Sequence, residues 1–239
     1  MTQQNSPDEE KKQDPKPDQK TDRIVELGSS VVTNRHGTIH CLTIIGQIEG
    51  HTNAPDNAKT TKYEHLLPLL ASLEESDEVD GVLILLNTVG GDVEAGLALA
   101  EMIAGMTKPT APLVLGGGHS IGIPLAVSGR INMIAPSASM TVHPVRMSGT
   151  MIAAPQTYRY FDKLQESIVR FVAAHSQIRA ETFRELMLRT DEMANDVGSV
   201  LYGEDAVALG LMQQVGTLKD ALAALYRAID EDKKQRDKN

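Results

Sequence analysis

One serine of the chain lies between glycines in a pattern that enzymes use for nucleophilic attack. Residues 118–122 (GHSIG) match G-x-S-x-G, in which a sharp turn from a strand into a helix exposes the serine hydroxyl. An apolar stretch precedes this turn and another follows it, as the pattern requires. Ser120 is therefore a candidate nucleophile, although glycine and serine also pack tight turns that have no catalytic role.

A serine nucleophile needs a base within hydrogen-bond reach and a third group that orients the base. Among the seven histidines, His143 ends the apolar run MTV and precedes Pro144, which forces the chain to be extended there. His119 adjoins the serine, so we expect its side chain to diverge and to pack the turn. His175 lies among polar neighbours in a helical region and is expected to face solvent. His143 is the candidate base, with a buried, hydrogen-bonded core histidine as the alternative.

The order of these residues separates two architectures. In α/β-hydrolases the acid lies between the serine and the histidine, but residues 121–142 contain no Asp or Glu. With His143 as the base, the hydrolase order is therefore impossible. His175 could restore it with Asp162 or Glu166 as the acid on the same predicted helix, and we keep this as the less favoured interpretation.

Apolar runs and helical periodicities alternate along the chain. Pro68, inside the first helical pattern, predicts a late helix start or a kink. The alternation with short turns predicts an α/β fold built from crossover units. A long amphipathic helix is predicted next, and its apolar stripe serves either core packing or an oligomer interface. The predicted strands are 38–48, 82–87, 112–115 and 131–134; the predicted helices begin near Tyr63 and continue with 93–104, 121–128, 156–188, 204–211 and 218–229.

Charge and composition exclude several classes of protein. The net charge of −9 argues against a nucleic-acid surface, because phosphate binding needs clustered Lys and Arg. Cys41 is the only cysteine, which excludes an intrachain disulfide and fits a reducing, cytoplasmic setting. Residues 109–129 carry no charge unless His119 is protonated, but their five glycines favour a strand, turn and buried helix over a membrane span. We expect a soluble protein without a membrane partner.

The two ends of the chain differ from its centre. Residues 1–23 contain no large apolar side chain after Met1, so they are predicted to form a disordered tail without the apolar core of a signal peptide. Residues 231–239 are predicted to form a charged C-terminal tail. The residues between these two tails, 24–230, are predicted to form one domain.

Three separated motifs together resemble one family. Residues 87–92 (NTVGGD), 118–122 (GHSIG) and 141–144 (TVHP) resemble the glycine-pair, nucleophile and histidine motifs of the Clp peptidase family, in the same order and at similar spacings. The resemblance runs from about residue 24 to residue 222 and is closest in character to the translocation-enhancing group of that family. It implies a spiral of strand-strand-helix units, shared with crotonases, with a long helical handle.

The resemblance also implies roles for individual residues. Ser120 would be the nucleophile and His143 the general base, and the backbone N–H groups of Gly91 and Ile121 would form the oxyanion hole. Losing one such donor typically costs about 10²–10³ in rate. No metal and no cofactor is implied.

The remaining implications concern the acid and the assembly. In the family the acid precedes a segment similar to residues 203–211, which implies Asp196, with Asp191 as the alternative. The long helix over 156–188 would stack the rings of a homo-oligomer, and a partner ATPase would be possible. Residues 146–155 depart from the glycine-rich strand that the family has after the histidine.

Three candidate functions are compatible with these features of the sequence. The favoured one is a cytoplasmic serine endopeptidase that cleaves protein or peptide substrates through an acyl-enzyme. A crotonase-type acyl-CoA enzyme has a similar fold but needs no serine and histidine pair. A non-catalytic oligomeric adaptor could keep the motifs without the chemistry.

Overall fold

The computed structural model describes residues 28–147, 152–192, 197–236 and 238. Strands and helices alternate along these residues, as crossover units require. The strands are β1 (Ser30–Asn34), β2 (Gly37–Glu49), β3 (Thr60–Lys62), β4 (Gly81–Gly91), β5 (Thr110–Gly118), β6 (Met133–Ile134), β7 (Ser139–Val142), β8 (Ser199–Tyr202) and β9 (Gln214–Val215). The helices are α1 (Tyr63–Glu75), α2 (Val93–Ala104), α3 (Gly122–Val127), α4 (Ala154–Ala174), α5 (Ala180–Leu188), α6 (Gly203–Ala208) and α7 (Leu218–Arg236).

The strands form a mixed sheet whose centre is parallel. Its main path runs β1-β2-β4-β5-β6-β9, with β3 paired to β2 and β7 paired to β5 and β8. The β1–β2 and β7–β8 pairs are antiparallel, and the pairs along β2-β4-β5-β6-β9 are parallel. Parallel neighbours need crossover connections, and α1 and α2 provide those between β2, β4 and β5. The predicted α/β fold is confirmed.

Helices cover both faces of this sheet. The larger apolar core lies between the strands and helices α1 to α6, with Leu42, Ile84 and Val114 among its buried members. A smaller core on the other face joins Leu83 and Leu113 to α7. Because β4 is buried on both faces, its sequence is a continuous apolar run rather than an alternating one.

The prediction of one long helix over 156–188 is wrong, because this segment forms two helices, α4 and α5. His175 ends α4: its backbone N–H donates to the carbonyls of Phe171 and Val172, and its Nδ1 lies 2.8 Å from the Phe171 carbonyl. The imidazole also stacks on the Phe171 ring, with centroids 4.1 Å apart. His175 therefore caps a helix and packs on it rather than projecting into solvent.

Other boundaries differ from the prediction in smaller ways. Helix α1 begins at Tyr63 and contains Pro68, so its start is not late. Helix α7 continues to Arg236, into the predicted charged tail, and Lys233 pairs with Asp80 at 3.0 Å. Strands β1, β3, β7, β8 and β9 lie outside the predicted strand ranges. The predicted tail over residues 1–23 lies outside the described residues.

The apolar stretch 109–129 folds as β5, the serine turn and α3. Within the part of the chain that the structure describes, no helix is both long and apolar enough to span a bilayer.

Candidate active site

The glycine pair lies where β4 ends and the chain turns into α2. Asp92 fixes this turn: its N–H donates to the Ile48 carbonyl at 3.0 Å, and its Oδ1 accepts from Ala95 N–H at 2.8 Å as the N-cap of α2. Gly90 has φ +87° and Gly91 has φ +152°, which are conformations that side chains disfavour.

Neither glycine has room for a side chain. A Cβ on Gly91 would lie 2.2 Å from the carbonyl oxygen of Ile48. A Cβ on Gly90 would lie 2.7 Å from Cβ of Ser120 and 3.2 Å from its Oγ. Gly90 is therefore packed directly against the candidate nucleophile, and Gly91 is packed against the backbone of β2.

Ser120 occupies the left-handed region, with φ +56°. For a residue other than glycine this conformation costs about 1–2 kcal/mol and persists only where the surroundings hold it. Here the Ser120 N–H donates to the Thr141 carbonyl at 2.9 Å, and His119 N–H donates to the Thr88 carbonyl at 3.1 Å. The turn is thus held by β7 on one side and by the end of β4 on the other, as expected of an exposed nucleophile.

Thr88 links three segments around the site, and sequence reasoning did not single it out. Its Oγ1 donates to the Gly46 carbonyl at 2.7 Å and accepts from Gly90 N–H at 3.0 Å. Its carbonyl accepts from His119, and the residue is 1% exposed. A hydroxyl residue between an apolar strand and a glycine pair was the available signal.

Replacing Thr88 with valine should lower the free energy of unfolding by about 1–3 kcal/mol, because the Gly46 carbonyl and Gly90 N–H lose their partner where water is excluded. Denaturant unfolding measures this change. Thr88→Ser, which keeps the hydroxyl, is the matched control and should retain more stability than Thr88→Val. Equal stabilities for the two variants would contradict this account.

His143 follows β7, and its ring is oriented by a backbone carbonyl. Nδ1 lies 2.7 Å from the Pro144 carbonyl oxygen. Because a carbonyl only accepts, Nδ1 carries the hydrogen, and in the neutral ring Nε2 keeps its lone pair. This is the tautomer that a general base requires.

The predicted residues meet in one cavity of about 120 Å³. Ser120, His143, Gly91 and Ile121 all line it. Its apolar wall comes from several elements and includes Val93, Ile123, Val142, Ile168, Phe183 and Met187. Ile168, Phe183 and Met187 lie in the segment that was predicted as one long helix, and none of them was predicted to line the site.

The structure describes only one of the two candidate acids. Asp196 lies outside the described residues. Gly198, two residues later, packs against His143, since a Cβ on that glycine would lie 2.9 Å from Cβ of His143. Asp191 is 82% exposed, lies 3.7 Å from Nε of Arg189 and does not line the cavity.

A second imidazole lies beside the site. Nδ1 of His119 and Oγ1 of Thr141 share a hydrogen bond of 2.9 Å. Burial lowers the pKa of His119, and the positive charge that His143 can carry lowers this pKa further. His119 is therefore neutral at neutral pH. The predicted turn-packing role of His119 agrees with these contacts.

No group of three or more His, Cys, Asp or Glu side chains within the described ranges could hold a metal ion.

Crossover units that bring a serine turn, a glycine pair and a histidine to one cavity define an α/β protein of the Clp type. The Clp protease family model matches residues 37–219, which is more than half of the chain, so the chain belongs to the Clp protease family. The resemblance stated from the three motifs is confirmed.

Two relatives are similar to the chain over most of its length. The chain is 49% identical over 223 residues to "Translocation-enhancing protein TepA" of Halalkalibacterium halodurans, covering 93% of this chain and 87% of that protein. It is 25% identical over 202 residues to "Putative protease MJ0651" of Methanocaldococcus jannaschii, covering 72% of this chain and 62% of that protein.

Proposed function

We propose that the chain is a serine endopeptidase that cleaves peptide bonds through an acyl-enzyme. The observation that carries this proposal is the meeting of Ser120, His143, Gly91 and Ile121 in one cavity. Oγ of Ser120 attacks the carbonyl carbon of the scissile bond while Nε2 of His143 takes the hydroxyl proton. The same imidazole then protonates the leaving amine, and a water molecule attacks the ester in the second half of the reaction.

The backbone around Ser120 supports the proposed oxyanion hole. The N–H groups of Ser120, Gly122 and Ile123 each donate to a carbonyl. Within the described residues, the Ile121 N–H has no such acceptor. An N–H group that has no acceptor in the protein is available to donate to the oxygen that becomes negative in the tetrahedral intermediate.

The proposal is tested by intact-mass spectrometry of the purified protein after a fluorophosphonate probe, combined with hydrolysis of a fluorogenic peptide. A single adduct that maps to Ser120 is expected. A folded, assembled protein that gives neither an adduct nor hydrolysis would overturn the peptidase proposal and favour the non-catalytic adaptor. Acyl-CoA binding would identify the crotonase-type alternative.

We propose Asp196 as the acid, because Gly198 brings the chain against His143 two residues later. Asp196→Asn is expected to lower kcat by up to about 10⁴-fold, since the uncharged amide stabilises the imidazolium poorly. Asp191→Asn is the control and should keep wild-type kcat, because its carboxylate is exposed beside Arg189. The reverse ranking would identify Asp191 as the acid.

The apolar wall of the cavity predicts the substrate side chain that it accepts. Ile168, Phe183 and Met187 are buried and line the cavity, so an apolar side chain next to the scissile bond fits there. A peptide with Leu at this position should be cleaved with kcat/KM at least about 10-fold above the same peptide with Ala, by the usual cost of missing methylenes in an apolar pocket. Paired peptides that differ at this residue alone measure the ratio, and equal rates would contradict the assignment of the pocket.

The proposal extends to assembly and place. The N-terminal half of α4 leaves Tyr158 73% exposed and Tyr160 50% exposed, which supports a homo-oligomeric ring that uses this helix as a contact. A partner ATPase that feeds substrate and a cytoplasmic location are parts of the same proposal. Size-exclusion chromatography with light scattering tests the ring, and a monomer at micromolar concentration would exclude it.

A further inference from the structure

Thr141 makes two separate contacts with the serine turn. Its carbonyl accepts from the Ser120 N–H at 2.9 Å. Its hydroxyl shares a 2.9 Å hydrogen bond with Nδ1 of His119. One residue of β7 therefore holds both the nucleophile and the residue before it.

The histidine ring has a place prepared for it in β5. A Cβ on Gly117 would lie 2.5 Å from Nε2 of His119 and 2.6 Å from its Cδ2. Gly117 therefore leaves the space that the imidazole fills, directly beside the strand end where Gly117 pairs with Ser139 of β7. The ring is packed between β5 and β7 and is half-buried.

The candidate base, His143, directly follows the same strand, β7. Along an extended chain, residues two positions apart point to the same side, and His143 follows Thr141 by two residues. Thr141 and His143 are half-buried and alternate with the fully buried Met140 and Val142, so we place Thr141 and His143 on one side of the extended segment. A change in the contact between Thr141 and the serine turn would alter the separation of Ser120 and His143.

We propose that His119 is a positioning residue that, through the Thr141 hydroxyl, sets the distance between the Ser120 hydroxyl and the His143 imidazole. The inference rests on the proposed peptidase function and adds to it a residue outside the triad and the oxyanion hole. The imidazole acts as a strut between the turn and β7, while Ser120 and His143 perform the chemistry. The low pKa of His119 that burial causes keeps this strut uncharged beside His143.

The test uses matched pairs of variants in the full chain. Thr141→Val keeps a β-branched strand residue and removes only the hydroxyl, and Thr141→Ser restores the hydroxyl. His119→Asn places an amide atom near the position of Nδ1, whereas His119→Ala removes the ring. We expect His119→Ala and Thr141→Val each to lower kcat by about 10²-fold with KM unchanged, the loss associated with a misplacement near 1 Å.

The remaining variants decide whether the effect is positional. His119→Asn and Thr141→Ser should recover most of the kcat, and the double variant His119→Ala/Thr141→Val should be no slower than either single variant. Equal kcat for Thr141→Val and wild type, or fully additive losses, would overturn the inference. If His119→Ala does not fold, the kcat values of Thr141→Val and Thr141→Ser decide whether the inference holds.

A second measurement separates this inference from the proposed function. Amide hydrogen exchange of the peptide that contains Ser120 should be faster in Thr141→Val than in Thr141→Ser, whether or not the wild type hydrolyses peptides. If the wild type is inactive but Thr141→Val and Thr141→Ser differ in exchange, the peptidase proposal is refuted and the positioning role of His119 is retained. Identical exchange in the two variants would refute the strut, even in an active enzyme.

Discussion

Replacing Ser120 with alanine is expected to abolish peptide hydrolysis and the fluorophosphonate adduct together, while the fold is kept. The hydroxyl is the atom that would form the ester, and its loss leaves only the oxyanion hole and substrate binding, so kcat should fall by about 10⁴–10⁶-fold. Alanine also keeps the backbone conformation that the turn imposes at φ +56°. The unfolding midpoint should therefore stay close to that of the wild type.

His143→Ala should cause a loss of similar size, and the double variant should be no slower than either single one, because the two residues act as a unit. Peptide hydrolysis and adduct formation measure both effects. Ser72→Ala, on the exposed face of α1, is the matched control and should react like the wild type. Hydrolysis that survives in Ser120→Ala would remove the nucleophile assignment.

The second large effect is expected at Gly91. A methyl group there would lie 2.2 Å from the Ile48 carbonyl oxygen, and the residue has φ +152°, so the chain must shift to accept alanine. This shift moves the N–H that is proposed to stabilise the oxyanion. Gly91→Ala should lower kcat by about 10²–10³-fold, the usual loss for one oxyanion donor.

The control for this change is Gly105→Ala, at the end of α2. Gly105 has φ −79°, and the nearest atom to an added Cβ is 3.2 Å away, so alanine should be accepted there. Its kcat should equal that of the wild type. An active Gly91→Ala would show that this N–H takes no part in the reaction. If the variant unfolds at the assay temperature, its kcat is measured below its unfolding midpoint, where activity close to wild type again excludes the role.

The parts of the site that could be predicted from the sequence are those that a short motif encodes. The glycine pair, the serine turn and the histidine before Pro144 each show their geometry in a few neighbouring residues, because glycine permits backbone conformations that other residues disfavour and proline restricts the backbone. The long strands β2 and β4 and helix α2 were also predictable, since their apolar patterns persist over whole elements.

The features that were not predicted depend on contacts between residues that are distant in the chain. Strand β8 is four residues long and is defined by its antiparallel pairing with β7, which also brings Gly198 to His143. Nothing in its own four residues specifies that partner. Thr88 and Thr141 were missed for the same reason: their roles come from the hydroxyl and carbonyl groups that the fold places beside them.

The break between α4 and α5 illustrates a different difficulty. Residues 175–179 (HSQIR) contain neither glycine nor proline, so the helical pattern continues across them. The helix ends because His175 folds back on Phe171 and because Gln177 N–H donates to the Gly210 carbonyl at 2.9 Å, a contact with a distant loop. Tertiary contacts outweigh local propensity here.

The left-handed backbone of Ser120 has an evolutionary consequence. Selection for stability alone would place glycine at this position, because glycine adopts φ +56° without the steric penalty that a side chain brings. The chain keeps a serine there and so gives up stability at the residue proposed to perform its chemistry. Screens that select only for heat resistance should therefore drift toward inactive proteins at this site, which is the conflict between stability and activity in one residue.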